Sequence, residues 1–136
     1  MIKRIPLAEL QKALFKELTD HQTTTVYNKV SSDATYPYIK IGAFTCKPNA
    51  SKDTDISDVT TQIIIYSNYE GSLEVNEISN DVIHVIGSPE AKLDLSADGF
   101  NVISQAYDFF ESFEDDYGYN AVITFVAKIQ NLGLSA

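Results

Sequence analysis

The chain has 136 residues, of which 44% are apolar and 21% charged, and its formal net charge is −9. That size and composition suit one domain with a modest core and argue against disorder; the acidic balance argues against phosphate binding, because the ten Lys and Arg are scattered and Lys3-Arg4 is their one tight cluster. A single cysteine, Cys46, allows no internal disulfide. The first residues lack the apolar run of a signal peptide, and no stretch approaches the ~20 apolar residues of a membrane helix, so a soluble protein made in a cytoplasm is expected.

Leu7, Leu10, Leu14 and Leu18 recur at spacings of three and four between Glu9, Gln11, Lys12, Lys16 and Glu17, with Pro6 suited to a first helical position. This amphipathic stripe predicts a helix over about residues 6–19. The β-branched run Thr23 to Tyr27 predicts a short strand, and Ser31-Ser32-Asp33 a turn. In Tyr36-Pro37-Tyr38-Ile39-Lys40-Ile41-Gly42-Ala43, Ile39, Ile41 and Ala43 share one face at period two, the pattern of a strand with one buried side and a proline at its start. Lys47 to Asp58 is the least apolar stretch and reads as a long hairpin loop before a partner strand over Thr60 to Ser67. After the turn Asn68 to Gly71, Ser72 is positioned to cap a second helix with Glu74 in its first turn; Val75, Ile78, Val82 and Ile86 form its stripe, and Gly87 and Pro89 stop it. Lys92 to Leu95 reads as a short strand, Asp98-Gly99 as a turn, Asn101 to Phe110 as a strand and Glu111 to Asp116 as an acidic turn. Ala121, Ile123, Phe125, Ala127 and Ile129 alternate with Val122, Thr124, Val126, Lys128 and Gln130, the clearest strand signal in the chain, and residues 131–136 trail loosely. The expected order is α-β-β-β-α-β-β-β: an α+β fold whose mostly antiparallel sheet carries two helices on one face.

No residue set points to chemistry. There is no phosphate-cradling glycine loop, no dinucleotide fingerprint and no nucleophile elbow. His84 falls off the stripe of the second helix and His21 follows Asp20 at the end of the first, so both read as surface residues. Cys46 has no base placed beside it by the sequence and reads as a small, semi-buried residue. Zinc would need several close Cys or His; Asp53, Asp55 and Asp58 begin like a calcium loop but lack its glycine and terminal Glu. Asp108, Glu111, Glu114, Asp115 and Asp116 form an acidic patch among Phe109, Phe110, Phe113 and Tyr117, which is either a solvated turn or a charged assembly surface. Eight Tyr and seven Phe fill strands or serve an interface. No metal, no cofactor and no enzymatic activity are expected.

The order of these segments resembles the tail-completion (tail-terminator, head-to-tail joining) proteins of long-tailed bacteriophages. The resemblance rests on the N-terminal amphipathic helix, the strand Tyr36-Pro37-Tyr38-Ile39-Lys40-Ile41-Gly42, the polar connection, the strand Gln62 to Ser67, the Val75–Ile86 stripe and the closing strand Asn120 to Gln130. It spans roughly residues 6–130, with 97–118 outside the aligned pattern. It implies a non-enzymatic virion protein, made in the bacterial host cytoplasm, that forms a homo-hexameric ring on the head-proximal end of the tail tube. Such a ring stops tube polymerisation, meets the tube protein and the head connector, and lets DNA pass without specific binding or any membrane contact. Within that frame, Lys47, Asn49, Lys52, Asp53, Asp55 and Asp58 are the expected partner-interface loop, and Asp108, Glu111, Glu114, Asp115 and Asp116 the expected acidic lining of the channel. A different neck or baseplate adaptor, a cellular protein-binding module and a small enzyme of unfamiliar type remain alternatives.

Overall fold

The computed structural model describes residues 3–50, 54–87, 92–116 and 118–133. These form helix α1 (Leu7–His21), strands β1 (Val26–Tyr27), β2 (Tyr38–Ala50) and β3 (Asp55–Ser67), helix α2 (Leu73–Ile86), a single 3₁₀ turn (Ser96–Asp98), and strands β4 (Phe100–Asp115) and β5 (Gly118–Asn131). The five strands make one sheet in the order β1-β2-β3-β5-β4, antiparallel throughout except for the short parallel pair β1–β2. The α+β fold expected from the sequence is the fold observed.

Alternation builds the sheet. β3 and β5 bury every second residue for almost their full length, and Ile63, Ile65, Ile123, Phe125 and Ile129 are all at most 2% exposed. Both helices pack on this face: Leu10, Leu14 and Leu18 of α1 and Val75, Ile78, Val82 and Ile86 of α2 join the same core. Strands of 13 residues rise about 43 Å, whereas the 14 residues of α2 span only about 21 Å. The helices therefore leave part of the sheet uncovered, and irregular chain supplies the rest. Leu93 and Leu95, expected in a short strand, lie outside any strand and bury their side chains in that core. Gln105 holds this segment to α2, accepting from the Leu93 N–H (2.7 Å) and donating to the Ile86 carbonyl (3.0 Å).

Two further expectations are corrected. Lys47 to Asp58 is not a long loop: β2 runs to Ala50 and β3 starts at Asp55, paired through Lys47↔Asp58 and Asn49↔Ile56. Glu111 to Asp115 is not a turn but the second half of β4, in register with β5 down to Asp115↔Gly118. At that hairpin Gly118 has φ +145, and a Cβ there would stand 2.2 Å from the Ser67 carbonyl oxygen, so the close approach to β3 requires glycine. Smaller differences are that β1 has two residues rather than five, and that Ser72 makes no side-chain cap. The Ser67 hydroxyl instead donates to Glu74 (2.6 Å), tying the first turn of α2 to the end of β3. Asn131, expected in a loose tail, ends β5; residues 134–136 lie outside the described residues.

Candidate assembly interface

The face of the sheet opposite the helices carries no covering element among the described residues. Register places its side chains in level rows. One row is Lys47, Asp58, Lys128 and Ser104; another is Lys40, Ile64, Val122 and Glu111; a third is Tyr38, Tyr66, Asn120 and Phe113. The side chains of β3 and β5 on this face are mostly half-buried, and they mix threonine, amide and branched apolar groups. A shallow hollow of about 250 Å³ lies at mid-height, lined by Asp58, Thr60, Ser104, Ala106, Val126 and Lys128.

Four tyrosines gather at the β1 end. Tyr38 stacks on Tyr66 with centroids 4.9 Å apart, meets Tyr27 edge-on at 5.7 Å and Tyr36 at 5.4 Å. Burial raises the Tyr38 hydroxyl above its ordinary pKa, with smaller contributions from the neighbouring tyrosines. Burial also raises that of Tyr66, aided by the charge of Asp115. Raised in this way, the Tyr38 and Tyr66 hydroxyls stay neutral donors at physiological pH, the form suited to a half-wet contact.

The edges of the sheet differ in charge. β4 is one edge along its whole 16 residues. Its second half carries Asp108, Glu111, Glu114 and Asp115, with Asp116 in the turn that follows, all exposed and with no cation among them. Ile103, Tyr107, Phe109 and Phe113 on the same strand are 36–56% exposed. The opposite edge is β1 and, beyond it, the free side of β2: Lys29 follows β1, Lys40 stands one strand in beside Tyr27, and Lys47 lies farther along β2, with Asp33 the one acid between residues 26 and 49.

The residues expected in a partner loop separate. Lys47 is exposed on β2; Asn49 donates to Asp58 across the strand pair (3.0 Å). Lys52 and Asp53 lie outside the described residues. Asp55 is 8% exposed and belongs to a clasp that holds the start of the chain. It accepts from the Arg4 N–H (2.9 Å) and the Asn131 amide (3.0 Å), bonds that hold its carboxyl below the usual range. The Arg4 guanidinium donates in turn to Asn131 Oδ1 (2.9 Å) and to the carbonyls of Asp98 (3.1 Å) and Gly99 (2.9 Å), and lies 4.2 Å from the Phe100 ring centre. The acidic group stays together along β4, but Asp115 is committed to its own hairpin, accepting from the Gly118 N–H (3.0 Å) and from the Asn120 amide. Phe109 and Phe113 were singled out in the sequence beside the acidic patch, but the tyrosine group at the β1 end and the exposed Ile103 and Tyr107 of β4 were not. β4 has bulges between Val102 and Ser104 and between Tyr107 and Phe109, which break the period-two signal that would have exposed them.

The fold does bring both histidines together: His21 and His84 line one cleft between α1 and α2 with Glu17, where His21 Nε2 stands 3.3 Å from the Glu17 carboxylate. No group of three or more His, Cys, Asp or Glu among the described residues is arranged to hold a metal. Among the same residues no helix is long and apolar enough to cross a membrane. Cys46 is free and half-buried.

No curated relative matches the sequence. Among solved structures, a chain from the virion of a native gene transfer agent particle superposes with TM-score 0.76 at 13% identity, covering 89% of this chain and 94% of that one, and so shares its fold. The family model for tail completion protein gp17 matches residues 9–130, from the first turn of α1 to the end of β5; the chain belongs to that family and is a structural protein of a phage tail.

Proposed function

We propose that copies of this chain close into a ring on the head-proximal end of the tail tube, stop its growth and present a surface to the head connector. The observation that carries the reading is the family match along nearly the whole fold, residues 9–130. The architecture supports it. Subunits of a ring contact one another through two different surfaces, and closure follows when the rotation between neighbours allows it. Here the two sheet edges are different surfaces of unlike charge, and the open face is available to what lies within or beyond a ring. A net charge of −9 keeps DNA from adhering as it passes. Six copies is the number the family resemblance implies.

Native mass spectrometry of the protein, alone and mixed with tubes of a candidate tail-tube protein from the same phage, tests the proposal. A closed oligomer of one size, or a stable complex with tube ends, is expected. A monomer that ignores tubes at high concentration would turn the reading toward another binding partner.

A further inference from the structure

We propose that neighbouring copies meet edge to edge, the acidic half of β4 in one copy lying against the lysine-bearing β1–β2 edge of the next. This rests on the ring reading and names the surfaces that make the ring.

Three observations converge. First, in a chain of net charge −9, one sheet edge and the turn that ends it carry five carboxylates over residues 108–116, while the opposite side of the sheet has Lys29 just past β1, Lys40 beside Tyr27 and Lys47 farther along β2, against the single Asp33. Two edges of the same sheet that differ in this way attract each other and repel their own kind, which favours head-to-tail over face-matched pairing. Second, the strand directions agree. β2 and β5 run the same way and β4 runs against both, so β4 of one copy is antiparallel to β1 and β2 of the next when the sheet is repeated by rotation. Third, the rows agree in height. Glu111 shares a row with Val122, Ile64 and Lys40, and Tyr27 stands beside Lys40. A rotation that does not slide the sheet along its strands brings Glu111 and Asp108 level with Lys40 and the start of the Lys29 turn.

The exposed Phe109 and Phe113 add apolar area to the same edge. Backbone pairing is restricted by the β2 bulge after Ile41, by Pro48 and by the two β4 bulges, all of which blunt an edge against indefinite strand addition. Side chains therefore carry the contact, and it weakens with salt.

The test reverses one edge at a time. The first variant is D108K/E111K and the second K29E/K40E, with circular dichroism and thermal unfolding to confirm that each folds. Each alone is expected to need at least tenfold more protein than wild type to assemble, measured by native mass spectrometry and sedimentation. An equimolar mixture, in which every contact again joins unlike charges, is expected to recover wild-type assembly with the two variants alternating. If a variant fails to fold, D108C with K29C in a C46S background replaces it: oxidation is expected to give a covalent ladder ending at ring size. Rings that form as in wild type from both variants, or rings without cross-links, would overturn the edge contact and leave the ring reading standing. Rings that persist in D108K/E111K while DNA passage is impaired would assign the acidic rows to the channel instead. A wild-type protein that forms no ring, alone or on tubes, would overturn both.

Discussion

Arg4→Ala tests whether the N-terminal clasp contributes to stability. The guanidinium makes three hydrogen bonds and lies over Phe100. A charged hydrogen bond contributes about 1.5–3 kcal/mol net, so a simple sum would put the loss near 4.5–9 kcal/mol. The acceptors argue for less. Asn131 Oδ1 also accepts from the Gly133 N–H (2.9 Å), and the Gly99 carbonyl also accepts from the Leu132 N–H (2.8 Å), so neither is orphaned. The bond to the Asp98 carbonyl is exposed, and water replaces it. What is lost is the surplus of charge-assisted over ordinary bonding and the ring contact, together about 2–3 kcal/mol. For a chain of this length that lowers Tm by about 7–10 °C. Urea and thermal denaturation of Arg4→Ala against wild type measure it. A loss under about 0.5 kcal/mol would mean that the clasp does not hold the chain; a loss above about 5 kcal/mol would mean that the second donors do not compensate.

The same clasp sets a pH dependence. Asp55 binds its proton more weakly in the fold than when unfolded, because Asn131 and Arg4 donate to the carboxylate. Its contribution to stability is complete above the unfolded value of about 3.9 and is lost as pH falls through the folded value; chemical denaturation between pH 6 and 3 should show a decline that is shallower in Asp55→Asn. Phe125→Ala removes a fully buried ring from β5 and should cost about 3–5 kcal/mol by denaturant unfolding, with the oligomer lost in proportion to folding. Gly118→Ala should destabilise strongly, since its Cβ would lie 2.2 Å from the Ser67 carbonyl oxygen at a φ of +145; equal Tm values would contradict that geometry.

The parts of the fold legible in the sequence are those where local pattern and tertiary burial coincide. The leucines of α1, the stripe of α2 and the alternation of β5 each name their buried face without outside information. The misread parts are those where burial comes from distant partners. Asp55 and Ser57 look like loop residues, yet both are buried at the end of β3, and Asp55 is satisfied by Arg4 and Asn131 from the two ends of the chain. Leu93 and Leu95 alternate like a strand but have no strand to pair with, and they cover the sheet beyond the helices. In β4 the bulges shift the pattern, and the carboxylates of its second half suggest a turn where the backbone continues in the ladder. The acidic group was therefore found in the sequence, but its place on a sheet edge was not. The opposing lysines were not recognised as a group, because Lys29 comes near Lys40 only when β1 joins β2 at Tyr27↔Lys40, and Lys47 lies farther along the same strand.

Electron microscopy of tail-tube protein polymerising with and without this chain, at matched concentrations, decides whether the chain caps the tube. Capping gives tubes that stop growing and carry a ring of extra density at one end only. Tubes that elongate at the same rate with both ends bare, while this protein remains in the supernatant, would contradict it.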